Sequence, residues 1–362
     1  MSDSGLEDEV SVGEARNLVE YTRSNPEKAL LLLSQVKSEV VYVNPFIKVP
    51  FKLEEGKQAK LGMFMEGEVY SDNPNLMADQ KLGEYWPMHN RSSIIGRVLF
   101  ADDDGNIYRD VDLKGIGFVQ FSEENDGIKV GKLEEGYKVS LAPGQTAGLL
   151  DLNVAQFDNQ MTEEFIAAGI RTDRVIAIIK LNELITGGKK ISIEEARKMG
   201  ILNNEFIPAV EVRAFPTKAR LDDVTGKQKD KIRDRLLIDD AKQLIAQELG
   251  LKKTFSDQEY VDWIIDTVGY NVGLMHKHNW RHNFLARQNI TLDGRIVDLD
   301  GLDEIVSESD KKEDAGDAIF DLVTFEAHSK SLNLLAYGPK EKQLISEKFQ
   351  IGYQRALQRV TV

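Results

Sequence analysis

The stretch that decides the fold runs from His276 to Asp300 and reads HKHNWRHNFLARQNITLDGRIVDLD. Within it, a polar segment reaches Asn283, an Asp-Gly pair predicts a turn, and a short apolar run then leads to Asp298. Oxygen atoms from an Asn and an Asp about fifteen residues apart are ligands that Mg²⁺ prefers when rigid elements hold them. The stretch therefore predicts a magnesium site made by Asn283 and Asp298.

This order of loop, turn and short strand is similar to the catalytic and metal-binding segments of protein kinases. A kinase loop carries its catalytic Asp five residues before the Asn, and here that place is held by His278. The stretch thus favours a kinase-like site without ordinary kinase chemistry. A zinc site is the alternative, although the His-Glu-x-x-His pattern of many zinc enzymes is absent from the sequence here. Its ligands would come from His276, His278, His282, Asp298 and Asp300.

Length and composition set the class of protein. The 362 residues are enough for two lobes, each with its own core. Charged residues make up 29% and hydrophobic residues 41%, as in a globular protein. A net charge of −14 argues against a general affinity for nucleic acid or anionic membranes, and the absence of cysteine excludes disulfides. Because the N-terminus is acidic and no run of about 18 apolar residues occurs, we expect a cytoplasmic protein.

Hydrophobic periodicity divides the chain into three parts. Residues 1–60 are predicted to form an N-terminal extension with one helix, which begins near Pro26 and continues through the leucines of residues 30–33. Residues 61–217 carry strand patterns and one helical pattern, whereas residues 218–362 are helical. This order predicts an α+β, protein-kinase-like two-lobed fold with a β-rich N-lobe and a helical C-lobe.

The clearest β region lies in the first lobe and ends at Lys114. Residues 94–100 and 108–113 predict the strands of a hairpin with a turn between them. Lys114 is followed by Gly115 and Gly117. A lysine at a strand end can reach the phosphates of a nucleotide, and glycines let a backbone approach an anion. An exposed lysine in a turn is the alternative.

Acids on the next predicted helix are candidate partners for this lysine. The helix covers residues 150–168 and carries Asp158 and the adjacent pair Glu163 and Glu164. One of these acids is expected to pair with Lys114, as a helix glutamate does in active kinases. Acids solvated on the helix surface are the alternative.

Two arginines form a second candidate phosphate site. Arg213 and Arg220 lie seven residues apart around a proline, the first within the strand predicted over residues 208–215 and the second after it. The planar guanidinium group is suited to phosphate oxygens, which one arginine from each side of a hinge can clamp. Ordinary surface ion pairs are the alternative.

In their order, these motifs resemble one family, the SelO-type protein adenylyltransferases, which are pseudokinases that transfer AMP in place of phosphate. The family's Leu-Lys-Gly-x-Gly motif is matched by residues 113–117, and its preceding Gly-Arg strand by Gly96 and Arg97. Its helix ends in Ala-Leu-Gly-Ile-x-Thr-x-Arg, which residues 167–174 resemble closely. A gapless count back from this anchor places Asp158 where the family has its helix Glu.

The resemblance continues into the second lobe and covers about residues 91–321. The family's Arg-x-x-Pro-x-x-x-Arg matches Arg213 and Arg220 with the same spacing. Its loop has a His followed seven residues later by Asn, and its metal Asp follows. These residues are matched by His276, Asn283 and Asp298.

The resemblance implies ATP bound in reversed orientation, with the γ-phosphate buried near the lysine and arginines and the α-phosphate facing the acceptor. It implies transfer of AMP from ATP, with Mg²⁺ or Mn²⁺, to Ser, Thr or Tyr hydroxyls of a protein substrate. The nucleotide-binding residues would be Arg97, Lys114, Gly115, Gly117, Asp158, Arg213 and Arg220, and the metal ligands Asn283 and Asp298.

The chain departs from the family at the residue before the metal Asn. The family has an Asp there, a base for the acceptor hydroxyl, whereas this chain has His282. Because a neutral histidine accepts a proton near pH 7, His282 and Asp298 are the predicted catalytic residues. Two other functions stay open, an ATP-dependent phosphotransferase of aminoglycoside-kinase type and a non-catalytic nucleotide-binding pseudokinase that scaffolds a partner.

Overall fold

The computed structural model describes residues 30–49, 52–59, 64–68, 77–79, 92–116, 119–122, 127–130, 149–186, 189–225, 231–331 and 342–359. Strands predominate before residue 220 and helices after it, so the predicted mixed α+β class is confirmed. We call residues 30–220 the sheet region and residues 221–359 the helical region.

The strands of the sheet region are β1 (Leu30–Ser34), β2 (Ser38–Val43), β3 (Phe64–Glu68), β4 (Met77–Asp79), β5 (Ser92–Ala101), β6 (Ile107–Lys114), β7 (Val119–Ser122), β8 (Gly127–Val130), β9 (Leu150–Asp151), β10 (Arg174–Leu181), β11 (Glu183–Thr186), β12 (Lys189–Ser192) and β13 (Pro208–Phe215). Its helices are α1 (Leu152–Ala168) and α2 (Ile193–Lys198). The helical region contains α3 (Leu221–Thr225), α4 (Lys231–Glu248), α5 (Asp257–Lys277), α6 (Glu308–Ser331) and α7 (Lys342–Gln358). It also contains the short paired strands β14 (Trp280–His282) and β15 (Leu302–Glu304).

The main sheet is antiparallel, with the strand order β2-β10-β13-β6-β5-β4-β1-β3. Its inner strands β6 and β13 are buried along their whole length. One face packs against α1, where Ala155 meets Val175 and Ala209. The other face belongs to a second apolar cluster that includes Val111 and Val212. Polar residues on β6 and β13 are therefore cut off from water and must pair with one another.

The N-terminal part of the described chain joins this sheet. Strand β1 pairs with β3 and β4, and β2 pairs with β10. The helix predicted through residues 30–33 is therefore wrong for those residues, which form a strand. A run of four leucines suits a buried strand as well as a helix, because periodicity cannot separate the two over so short a run. The rest of that predicted helix lies outside the described residues.

Helix α1 lies between the sheet and the helical region. It begins where the side chain of Asp151 accepts a hydrogen bond from the backbone of the first turn, and it ends at Gly169 with φ of 80°. Met161 and Phe165 on its other face belong to the core of the helical region. Both cores thus fix the position of α1, and with it the buried carboxylate of Asp158.

The core of the helical region is built around α5 and α7. These helices pack so closely that a Cβ on Gly269, Gly273 or Gly352 would lie within 2.6 Å of a backbone oxygen of the facing helix. Helix α5 begins with a capping box formed by Ser256 and Glu259. Among the helices that the structure describes, none is both long and apolar enough to span a bilayer.

The chain that leaves β13 runs beside a hairpin of the helical region. The backbone amide of Leu221 donates to Ile290 at 2.9 Å, and that of Leu292 donates to Ala219 at 2.7 Å. These bonds hold Arg220 against the hairpin that carries Asp298. The two regions therefore meet at Arg220 and Asp298, which are two of the residues that the sequence predicts to bind phosphate and metal.

Candidate functional site

The candidate site lies on the polar face of β6 and β13, below α1. Side chains alternate along a strand, so Asp112 and Lys114 share one face of β6, and Glu211 and Arg213 share one face of β13. The strand register sets Lys114 opposite Glu211 and Asp112 opposite Arg213. All four residues are at most 2% exposed. Because buried charges need partners, the contacts on this face define the site.

Carboxylates surround Lys114. Its Nζ donates to Asp158 Oδ2 at 2.9 Å and to Asp300 Oδ1 at 3.1 Å. The same Nζ lies 3.3 Å from Asp298 and 3.7 Å from Glu211. Burial alone lowers the pKa of Lys114, but these carboxylates raise that pKa well above its usual value. The lysine is therefore charged at neutral pH, and the alternative of an exposed turn residue is excluded.

Asp158 is the acid of α1 that pairs with Lys114. Glu163 instead binds the guanidinium group of Arg174 with both carboxylate oxygens, at 2.8 and 2.7 Å. Glu164 is exposed. Counting back from residues 167–174 to the helix-acid position of the family thus identified the residue that pairs with Lys114. The Asp side chain reaches the lysine although it is shorter than the Glu of the family.

Asp298 receives three cations. Arg213 Nη1 donates to its Oδ1 at 2.6 Å, Arg220 Nη1 lies 2.9 Å from its Oδ2, and Lys114 lies 3.3 Å from Oδ1. Burial raises the pKa of Asp298, but the three cations hold this pKa well below its usual value. Its side chain is 24% exposed, which makes it the most exposed of the six carboxylates in the cluster. The two predicted arginines thus meet on one carboxylate and are not surface ion pairs.

The backbone of Asp298 adopts φ 61° and ψ 55°, the left-handed conformation. That conformation is uncommon for residues other than glycine and is found where the surrounding structure holds a side chain in a set direction. Here it turns the carboxylate toward the arginines at the end of the hairpin.

Asn289 is the asparagine that lies beside Asp298. The backbone amide of Val297 donates to the carbonyl of Asn289 at 3.0 Å, so the two candidate ligands face each other at the open end of the hairpin. Arg220 Nη1 lies 2.9 Å from Asp298 Oδ2 and 3.3 Å from Asn289 Oδ1. These two side-chain oxygens and the carbonyl of Gln288 converge on one cationic nitrogen, and oxygen atoms are the ligands that Mg²⁺ prefers.

Asn283 faces away from this pair. It is exposed, and its Nδ2 donates to Asp303 at 2.5 Å. Asn289, and not Asn283, is therefore the asparagine whose side chain lies near the carboxylate of Asp298. A His followed seven residues later by Asn occurs twice, at His276 with Asn283 and at His282 with Asn289, so spacing alone cannot choose between them.

His282 has a structural role. Its Nε2 donates to the carbonyl of Val297 at 3.1 Å, and its Nδ1 accepts from the amide of Phe284 at 3.2 Å. This assignment places the ring proton on Nε2, the only tautomer that satisfies both bonds. Because the backbone engages both ring nitrogens, the predicted role of His282 as a base is not compatible with this geometry. The ring instead supports the strand that leads to Asp298.

The other histidines of the stretch lie apart from the site. His276 is buried in α5, where Asp314 and the hydroxyl of Tyr353 each lie 2.8 Å from a ring nitrogen. His278 ends the same helix. Within the described ranges, no group of three or more His, Asp or Glu side chains is arranged to hold a metal ion. The ring nitrogens of His276 and His282 thus have protein partners in place of a shared zinc ion.

Packing accounts for Gly115. Its φ is +99°, and a Cβ there would lie 2.5 Å from the carbonyl of Ala209 and 2.8 Å from Leu150 Cβ. The predicted role of this residue at a phosphate stays a prediction. Arg97 lies on β5 in register with Asp110, and Gly117 lies outside the described residues.

The cluster contains more acids than cations. The cations are Lys114, Arg213, Lys218 and Arg220, and the acids are Asp112, Asp158, Asp173, Glu211, Asp298 and Asp300. Burial raises the pKa of Asp173 to about 7 and that of Glu211 well above its usual value. If both of these acids carry a proton, four carboxylates and four cations remain.

Comparison with known proteins adds no relative, since neither a protein-family model nor a curated protein matches the chain.

Several of the charged residues in the cluster around Lys114 and Asp298 were not predicted from the sequence. Asp112 precedes Lys114 by two residues on β6, and Glu211 precedes Arg213 by two residues on β13. Charged residues spaced by two within an apolar strand lie on one face, and that pattern was the signal that could have found them. Asp173 carries no such signal, because the burial of its carboxyl depends on how Arg213 approaches it.

Proposed function

We propose that the protein has a two-lobed, kinase-like fold and transfers AMP from Mg-ATP to Ser, Thr or Tyr hydroxyls of a protein substrate. The hydroxyl oxygen forms a bond to the α-phosphorus, the bond from that phosphorus to the β-phosphate oxygen breaks, and pyrophosphate and the hydroxyl proton are released. The observation that carries the proposal is the convergence of Lys114, Arg213 and Arg220 on Asp298. Asp158 of α1 lies behind the lysine. A strand lysine paired with a helix acid, next to an Asp that follows a hairpin, is the arrangement that phosphoryl-transfer sites use. The resemblance to SelO-type adenylyltransferases favours AMP as the transferred group.

The three cations are the phosphate-binding groups of the proposal. Guanidinium groups bind carboxylates and phosphates with the same planar fork, so Arg213 and Arg220 can exchange Asp298 for phosphate oxygens. Lys114 would stay oriented by Asp158 while its remaining hydrogen-bonding capacity turns to the nucleotide. The exchange releases the oxygens of Asp298.

Those oxygens fit a magnesium or manganese ion. Arg220 Nη1 already lies where Asp298 Oδ2 and Asn289 Oδ1 converge, at 2.9 and 3.3 Å. Once Arg220 turns to the phosphates, the two oxygens would hold the cation, with water and phosphate oxygens as further ligands. The metal ion neutralises phosphate charge when bound. The protein's part is to position the α-phosphate against the acceptor hydroxyl and to exclude water.

A second function, nucleotide binding without transfer, is favoured by two observations. Both oxygens of Asp298 are ion-paired, and both ring nitrogens of His282 are bound to backbone. A chain in which the arginines keep Asp298 after ATP binds would hold the nucleotide and act as a scaffold for a partner.

Intact-mass spectrometry separates these functions. The protein is incubated with Mg-ATP, alone and with a mixture of candidate protein substrates. A mass gain of one AMP supports the proposal, and a gain of one phosphate supports a phosphotransferase. A magnesium-dependent thermal shift with ATP but no mass gain supports the scaffold. If the protein shows no mass gain and also no thermal shift, nucleotide binding itself is contradicted.

A further inference from the structure

Glu211 is a buried acid that the proposed function does not use. It is fully buried on β13, directly opposite Lys114 in the sheet. Within the described residues, neither of its carboxyl oxygens has a hydrogen-bond donor. Its closest cation, Lys114 Nζ, is 3.7 Å away, which is an ionic contact but too long for a good hydrogen bond. An ionised carboxylate in such a position is costly, so a proton on Glu211 is favoured.

Asp158 has an oxygen in the same condition. Its Oδ2 accepts from Lys114 at 2.9 Å, whereas its Oδ1 is buried without a donor among the described residues. Asp158 and Glu211 therefore contact the same ammonium group, one from α1 and the other from β13. After burial, the charge of Asp158 is the strongest influence that raises the pKa of Glu211.

We propose that Glu211 and Asp158 share one proton beside Lys114, and that this proton controls how strongly Lys114 binds a nucleotide phosphate. A protonated carboxyl of Glu211 supplies the donor that Asp158 Oδ1 lacks. Such a bond between a carboxyl and a carboxylate is short and strong. With the proton in place, the pair presents one negative charge to Lys114. Without it, the pair presents two, which hold the ammonium group and repel phosphate.

Charged groups face Glu211 from several of the elements packed around it. It is faced by Lys114 from β6, Asp158 from α1, Arg213 from its own strand and Asp300 from the segment after the hairpin. Strand β10 presents the apolar Ile178 opposite Glu211.

The two cations of this group stay charged. Burial alone lowers the pKa of Lys114 and of Arg213, but their carboxylate partners raise both pKa values well above the usual ones. Asp173, which lies 3.9 Å from Arg213, also exchanges its proton near pH 7. The part of the pH dependence that Glu211→Gln removes therefore reports on the shared proton.

The phosphate part of the inference rests on the proposed function, and the sign of the effect follows from linkage. If Mg-ATP binds only the form in which Glu211 keeps its proton, the Kd for Mg-ATP rises about tenfold for each pH unit above the pH at which that proton is lost. The substitution Glu211→Gln keeps the shape of the protonated acid and cannot lose the proton. We expect this variant to match the original protein at pH 6 and to bind Mg-ATP more tightly than the original protein at alkaline pH.

Two measurements test the inference. Infrared spectra of the nucleotide-free protein should show a protonated-carboxyl band that shifts when glutamate side chains are labelled with ¹³C and that Glu211→Gln lacks. Calorimetric titration with Mg-ATP between pH 6 and 9.5 should show the affinity of the original protein falling from the pH at which that band disappears. Glu163→Gln is the matched control, because Glu163 lies on the same helix as Asp158 but binds Arg174. It should keep both the band and the pH dependence.

The outcomes distinguish this inference from the proposed function. If Glu211→Gln still shows the protonated-carboxyl band, or if ¹³C labelling of glutamate does not shift that band, the inference of a shared proton is wrong. Identical pH profiles for Glu211→Gln and the original protein would overturn its control of phosphate binding. Absence of Mg-ATP binding at every pH would contradict the proposed function, while the infrared result would still decide whether the acids share a proton.

Discussion

Replacing Asp173 with asparagine is expected to stabilise the protein above pH 7. Asp173 is 1% exposed, and the nearest guanidinium nitrogen of Arg213 lies 3.9 Å from its carboxyl. The hydroxyl of Thr172 donates to it at 3.2 Å. Asparagine keeps an oxygen for this hydroxyl and removes the charge. Arg213 keeps its nearer partners, Asp112 and Asp298, at 2.8 and 2.6 Å.

The magnitude follows from the pKa. Burial raises the pKa of Asp173 from the ordinary value of 3.8 to about 7. The folded state then binds more protons than the unfolded state between these two values. Stability is therefore lost as the pH rises from about 4 to about 7, and it levels off above. About three pKa units at about 1.4 kcal/mol each set a ceiling of about 4 kcal/mol. We expect Asp173→Asn to recover about 2–4 kcal/mol at pH 8 and progressively less toward pH 4.

Urea unfolding followed by tryptophan fluorescence at pH 5, 6, 7 and 8 measures this effect. The matched control is Asp112→Asn, on the other side of Arg213. Burial raises the pKa of Asp112, but Arg213 and Lys218 lower it further, so its folded state prefers the charge. Asp112→Asn should therefore destabilise the protein at pH 8. If Asp173→Asn destabilises it as much as Asp112→Asn does, Asp173 is an ionised partner of Arg213 and the reasoning is refuted.

Two further predictions use pairs of substitutions. Gly115→Ala should cost about 2 kcal/mol or more, because its Cβ would overlap the carbonyl of Ala209, whereas Gly105→Ala, with open space around it, should cost about 1 kcal/mol. Equal losses of thermal stability in calorimetry would contradict the packing role. Asn289→Ala should weaken magnesium-dependent ATP binding about tenfold or more, and Asn283→Ala should leave it unchanged. If titrations with and without Mg²⁺ show instead that Asn283→Ala weakens the binding and Asn289→Ala does not, Asn283 is the ligand.

The pairing of Lys114 with Asp158 was predictable because its determinants are local. The hairpin before Lys114 and the helix that carries Asp158 have clear periodicity, and both elements lie where the sequence predicts them. The count from residues 167–174 back to Asp158 succeeded because it stays within one uninterrupted helix. Distances along regular elements translate directly into positions in space.

The features that could not be predicted from the sequence depend on contacts between segments far apart in the chain. Residues 30–33 form a strand because β3 and β4 offer edges to pair with, and those strands lie far along the chain. Asn289 rather than Asn283 meets Asp298 because of the hairpin register, which the repeated His-Asn spacing does not reveal. Glu211 is buried without a hydrogen-bond donor among the described residues because α1 covers the face of the sheet on which it lies, and the sequence does not reveal that cover.

The most direct test of the account follows the two ends of ATP separately. The protein and its substrates are incubated with magnesium and with ATP labelled at either the α- or the γ-phosphate, in parallel with Asp298→Ala and Asn283→Ala. We expect that label from the α-phosphate becomes attached to protein, that label from the γ-phosphate does not, and that only Asp298→Ala abolishes the transfer. Attachment of the γ-label, or undiminished α-label in Asp298→Ala, would contradict this expectation.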